Sequence, residues 1–104
     1  MPDPTVEQML AEARAQFAAS LPAKAAAIEE QLARGAWEEA KRAAHKLRGS
    51  AGTYGFATLG AAAAEVEEAL IASGLQPDAG AAARIGEKVR EARVEAERIA
   101  RGGT

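Results

Sequence analysis

Apolar residues recur at three- and four-residue spacings along almost the whole chain, while β-branched and aromatic residues are scarce. This combination limits the fold more than any other feature. A period near 3.6 gathers apolar side chains onto one stripe of a helix, whereas a half-buried strand needs strict alternation. Hydrophobic residues make up 48% of the 104 residues and aromatics only 4%, and alanine dominates the apolar share. Ala, Leu, Glu and Arg are strong helix formers, and few residues here favour strands. A core with so few bulky anchors must be built by close approach of small side chains. The length suits one small domain over residues 1–104, and the expected fold class is all-α.

Punctuation divides the pattern into five helical segments. The first is expected over about 4–19, with Asp3 as N-cap, Pro4 in the first helical position and a stripe of Val6, Leu10, Ala13 and Phe17. The second starts at Ser20 as N-cap, tolerates Pro22 in its first turn, carries Leu21, Ala25, Ile28 and Leu32, and ends at Gly35. The third starts near Ala36 with Trp37, Ala40, Ala44, Leu47 and Ala51, and Gly52 and Gly55 bracket the turn after it. The fourth is expected to be capped by Thr58, to present Leu59, Ala63, Val66 and Leu70, and to stop at Gly74. A loop containing Pro77 leads to Asp78, the cap of the fifth helix, with Ala82, Ile85, Val89, Ala92, Ala96 and Ile99 inward. The tail of Gly102, Gly103 and Thr104 is expected to fray. Gly60 and Gly86 are read as tight helix–helix contacts. Short loops make neighbouring helices antiparallel. The expected architecture is an up-down-up-down four-helix bundle with an additional N-terminal helix packed across one end.

Composition excludes several functions. A net charge of −2 with both signs interspersed lacks the basic excess of a nucleic-acid binder. The absence of cysteine rules out disulfides and thiolate metal sites, and one histidine makes a zinc site unfavourable. No apolar run approaches the ~20 residues that span a bilayer, and the first residues lack the pattern of a signal peptide. The expectation is a soluble cytoplasmic domain with no membrane partner.

The one histidine, His45, begins the run His45-Lys46-Leu47-Arg48-Gly49-Ser50-Ala51-Gly52-Thr53-Tyr54-Gly55-Phe56. On a helix, Lys41, His45, Arg48, Gly49 and Gly52 share one face. His45 lies roughly 120° from the centre of the apolar stripe, so it faces outward or sits at the core's edge. Each helix glycine costs roughly 1 kcal/mol relative to alanine. Two beside one imidazole indicate that something bulky approaches it closely. An accessible imidazole among cations suits carriage of a phosphoryl group: it is a usable nucleophile near neutral pH. Such a site needs a partner on the second ring nitrogen to fix the tautomer, and that partner must come from another helix.

The run from His45 to Ala51, followed by Gly-Thr-Tyr-Gly-Phe, resembles the signature of histidine phosphotransfer (HPt) domains. It is similar also to the phosphoacceptor domain of chemotaxis histidine kinases. The close resemblance covers about 37–71. It implies that His45 is the phosphoacceptor through Nε2, that Arg48 pairs with the phosphoryl group, and that Gly49 leaves room for the aspartate of a receiver domain. It also implies that Glu67, beside the seam residue Val66, hydrogen-bonds the other ring nitrogen and makes the ring more nucleophilic. A solvated acidic face shared with Glu68 is the alternative for Glu67. Lys41 and Gly52 complete the expected docking face. Glutamate at position 67 is typical of the chemotaxis kinases; the additional histidine they place on that helix is replaced here by Ala64.

The function expected is that of a phosphoryl carrier in a two-component phosphorelay. It would accept the group from a receiver aspartate or a histidine kinase and pass it to a response-regulator receiver. The chain would need no cofactor of its own, Mg²⁺ being expected in the receiver's acidic pocket. With no ATP-binding motif it is not expected to act as an enzyme alone. The alternatives are the phosphoacceptor domain of a larger chemotaxis-type kinase and, from another class, a non-catalytic helical adaptor.

Overall fold

A computed structural model describes Asp3 and residues 5–102. Four helices account for almost all of them: α1 (Val6–Ala33), α2 (Trp37–Thr53), α3 (Ala57–Ala72) and α4 (Ala79–Ala100). No strand occurs among the described residues. The fold class is all-helical, with one helix fewer than expected.

The segments expected as separate first and second helices form the single 28-residue helix α1, with Pro22 inside it. Ser20 is not an N-cap: its hydroxyl donates backward to the Phe17 carbonyl at 2.6 Å, the habit of a serine in a helix interior. An interior proline costs about 3 kcal/mol. Against this, Phe17, Leu21, Ala25 and Ile28 stay in phase across the proline and are all buried. Burial of each large apolar side chain is worth about 1.5–3 kcal/mol, so a continuous stripe outweighs the lost backbone bond.

The helix starts are also set differently. Thr5, not Asp3, caps α1: the Gln8 N–H donates to Thr5 Oγ1 at 3.1 Å and the Thr5 N–H to Gln8 Oε1 at 2.7 Å. This reciprocal capping box satisfies two otherwise orphaned polar groups. Pro4, Gly103 and Thr104 lie outside the described residues. The N-cap of α3 is Phe56, without a side-chain cap bond, rather than Thr58. Asp78 caps α4 as expected, accepting from the Ala81 N–H at 2.8 Å.

Gly35 (φ 73°) and Gly55 (φ 81°) end α1 and α2 in the left-handed conformation that glycine adopts without a Cβ clash. The Ala36 N–H then reaches the Gln31 carbonyl and the Phe56 N–H the Ala51 carbonyl, each at 2.8 Å. These are Schellman closures, in which the residue after the glycine turns back over the last helical turn. Gly52 lies inside the last turn of α2 rather than in the loop.

Each helix packs against the next, and α4 closes the ring on α1. The largest fully buried side chains are Leu21, Leu59, Leu70, Ile85, Val66 and Val89. Between them Ala40, Ala44, Ala51, Ala63 and Ala96 are buried, so the helices approach closely. Trp37 and Tyr54 are half-buried against this core, Tyr54 stacked on Phe17 at 4.7 Å. At Gly60 a Cβ would stand 3.7 Å from the Ala51 Cβ and from the Arg48 carbonyl, which marks the close passage of α3 over α2. Gly86 makes no such contact; a Cβ there would meet nothing within 4 Å.

The molecule measures 57 × 21 × 21 Å. At 1.5 Å per residue α1 spans about 42 Å and α2 about 25 Å, so the first turns of α1 run past the end of the other helices. Arg14 marks the level of that end, its guanidinium 4.1 Å from the Phe56 ring centroid and its Nε donating to the Tyr54 carbonyl at 3.0 Å. Val6 and Leu10, expected in the apolar stripe, lie beyond it and are exposed, as is Met9.

Candidate functional site

The buried stripe of α2 (Ala40, Ala44, Leu47, Ala51) turns the opposite helix face to solvent. His45 stands there with 73% of its side chain exposed. Across from it, α3 buries Val66 and Leu70, and Glu67 between them is drawn to the edge of the core with only 10% of its side chain exposed. Glu65 on the same helix has 54% exposed, and Glu68 also faces solvent. Glu67 is therefore not part of a solvated acidic face. The close passage at Gly60 brings the two helices within reach of one another here.

Glu67 Oε2 lies 2.6 Å from His45 Nδ1. A carboxylate only accepts, so the hydrogen between them belongs to Nδ1. In the neutral ring, that tautomer leaves the lone pair on Nε2. The second carboxylate oxygen, Oε1, accepts from Arg48 Nη1 at 3.2 Å. Burying a carboxylate costs several kcal/mol; two donors, one cationic, offset it, each such bond being worth about 1.5–3 kcal/mol. Among the described residues Glu67 is the one charged side chain in the buried core.

Three of the candidate residues thus come together: His45, Arg48 and Glu67. The contact between Arg48 and Glu67 is not expected from the sequence, where the resemblance pairs Arg48 with the phosphoryl group instead. Its signal is the placement of Arg48 one turn beyond His45 on the face that meets α3. Gly49 and Gly52 are exposed on the same face, and a Cβ at either would meet nothing within 4 Å. They leave the surface beside the imidazole clear. Lys41 is not brought to the cluster: its ammonium pairs with Glu38 at 3.3 Å, as does Arg42 at 3.7 Å. Among the described residues no group of acidic, histidine or cysteine side chains is placed to hold a metal ion, and no helix is long and apolar enough to cross a membrane.

An imidazole held through one nitrogen on an exposed side chain has the chemistry of a nucleophile at the other. No curated protein and no solved structure matches the chain. The Hpt domain family model matches residues 12–100, from the second turn of α1 to the end of α4 and across the whole cluster. The chain therefore belongs to the Hpt domain family, whose members carry phosphoryl groups in two-component signalling.

Proposed function

We propose that His45 accepts a phosphoryl group on Nε2 and yields it to a receiver-domain aspartate, so that the chain is a carrier within a phosphorelay. The observation that carries this reading is the 2.6 Å contact between His45 Nδ1 and the buried Glu67 carboxylate. With the proton held at Nδ1, the Nε2 lone pair attacks phosphorus. The bond from phosphorus to the donor oxygen breaks, its electron pair leaving with the donor, whether a receiver's aspartyl carboxylate or the ADP of a kinase. No proton needs to move during attack.

Glu67 orients the ring and stabilises the positive charge that the ring acquires. Gly49 and Gly52 form the clear surface on which the partner's acidic pocket, with its Mg²⁺, would seat. Lys41 contributes general positive charge to that face. The short connections and the cyclic packing of the helices favour an antiparallel up-down-up-down order. We read residues 1–104 as one such domain, acting in the cytoplasm with receiver and kinase domains as partners. Glutamate at position 67, the residue typical of the chemotaxis kinases, favours one second reading, the phosphoacceptor domain of a chemotaxis-type kinase.

The test is phosphotransfer to wild type and to His45→Gln from a phosphorylated receiver and from an autophosphorylating kinase. An acid-labile, alkali-stable label on wild type alone is expected. The same label on His45→Gln would overturn the reading.

A further inference from the structure

The first two turns of α1 take no part in the cluster around His45. They run past the end of the other helices, and there Val6, Met9 and Leu10 are exposed, Leu10 to 61%. Val6 and Leu10 continue the apolar stripe that Phe17 and Leu21 bury further along the helix. At the same end an open groove of about 340 Å³ runs between α1 and the last turn of α4. Ala11, Arg14 and Ala18 form one wall, Ile99 and Ala100 the other, and Phe56 also lines it. We propose that this end of the bundle is a self-complementary interface, at which the projecting turns of α1 in each of two copies of the chain lie in the α1–α4 groove of the other.

The spacing within α1 supports a second copy as the occupant. Glu7, Leu10, Ala11, Arg14 and Ala18 stand at i, i+3, i+4, i+7 and i+11, so they share one stripe. Ala11, Arg14 and Ala18 belong to the groove, while Glu7 and Leu10 lie on the projecting turns. A two-fold axis between residues 10 and 11 sets two such helices antiparallel. Leu10 of each copy then falls opposite Ala11 of the other, and Glu7 opposite Arg14. A large apolar side chain meets a small one and an acid meets a base, and each contact is made twice.

Charge is complementary beyond that stripe. From Thr5 to Ala13 the helix carries Glu7 and Glu12 and no cation. The rim of the groove is basic, with Arg14 on α1 and Arg101 at the end of α4, both exposed. The Tyr54 carbonyl takes one of the five N–H donors of Arg14, which leaves the guanidinium able to meet a carboxylate. The overlap is short, about 20 Å along one pair of helices. It belongs with transient interfaces, below about 1,200 Å², so the dimer forms only at high concentration. The groove lies on the α1–α4 side of the bundle, whereas His45 lies where α2 meets α3. Both imidazoles of the dimer stay open to solvent.

The test is sedimentation velocity of the full chain from about 10 μM to about 1 mM. A reversible shift from monomer to dimer with rising concentration is expected. Leu10→Glu changes a side chain outside the core, and should stay monomeric over the whole range with its helicity, read by circular dichroism, unchanged. Glu7→Arg and Arg14→Glu should each weaken the dimer by at least about tenfold, since each sets like charges opposite one another. Mixed in equal amounts, the two variants should dimerise as wild type does, because both charge pairs are restored. If Arg14→Glu loses helicity, Leu10→Glu alone decides. A chain that is monomeric throughout overturns the proposal and leaves this end of the bundle to a different protein. A dimer that survives Leu10→Glu, or a mixture of folded variants no tighter than its components, places the interface elsewhere and overturns it too.

Discussion

Glu67 is tied to His45 by a 2.6 Å contact that crosses from α3 to α2, and it is at once a buried residue and a neighbour of one of the most exposed side chains of the bundle. The carboxylate is held by the core, and the ring is held by the carboxylate. Rigidity therefore reaches the reacting nitrogen although the ring itself lies in solvent. Orientation of this kind is what a partner residue on the second ring nitrogen supplies in histidine sites generally.

Removing that partner should slow loading of His45. Glu67→Ala is expected to lower the rate of phosphorylation by about 10–100-fold. Glu67→Gln, which still accepts from Nδ1, should lose less. Rates measured with a common donor check this, and an Ala variant within about twofold of wild type would leave Glu67 without a part in orientation.

Gly49→Leu separates docking from chemistry. A side chain there meets nothing within the domain, and leucine is the better helix former by up to ~1 kcal/mol. The variant should be as stable as wild type or slightly more so, and should load normally from phosphoramidate. Transfer from a receiver should fall by at least about tenfold, roughly 1.4 kcal/mol of lost docking. Equal loss with both donors would place Gly49 in the chemistry instead.

Gly60 sets the spacing of α2 and α3. At 3.7 Å from its neighbours a single methyl fits in ordinary contact, so Gly60→Ala should be neutral or stabilising by up to ~1 kcal/mol. Gly60→Leu should overpack the seam at a cost of about 1–3 kcal/mol and slow loading by drawing Glu67 from the ring. Urea denaturation together with the loading rate reads both effects.

Pro22→Ala tests whether α1 is one helix. A proline in a helix interior costs about 3 kcal/mol relative to alanine, and one in a first turn costs little. The variant should gain about 1–3 kcal/mol in denaturant unfolding with no change in phosphotransfer. No gain would mean that the helix is broken before Pro22.

Much of this arrangement is legible in the chain because it depends on local periodicity. The stripes of α2, α3 and α4 follow from their spacing alone, as does the capping of α4 by Asp78. Glu67 is found one residue from Val66 by the same counting, and the outward aspect of His45 follows from its angle to the stripe. What is not legible depends on competition between local and distant effects. Ser20 and Pro22 together look like a helix start, and only burial of Phe17, Leu21, Ala25 and Ile28 against the other helices decides otherwise. Val6 and Leu10 satisfy the pattern but are exposed, because nothing in their own spacing states how far the other helices reach along α1. The bond from Arg48 to Glu67 depends on how closely α3 passes α2 at Gly60, a distance between helices that no single segment encodes.

The central claim is that Glu67 holds the proton on Nδ1 and so directs the phosphoryl group to Nε2. The most direct measurement is ¹⁵N–³¹P NMR of the phosphorylated domain, with the ring nitrogens of His45 labelled. The account predicts phosphorus coupled to Nε2, with Nδ1 still protonated. Phosphorus on Nδ1, or on no nitrogen of His45, would contradict it.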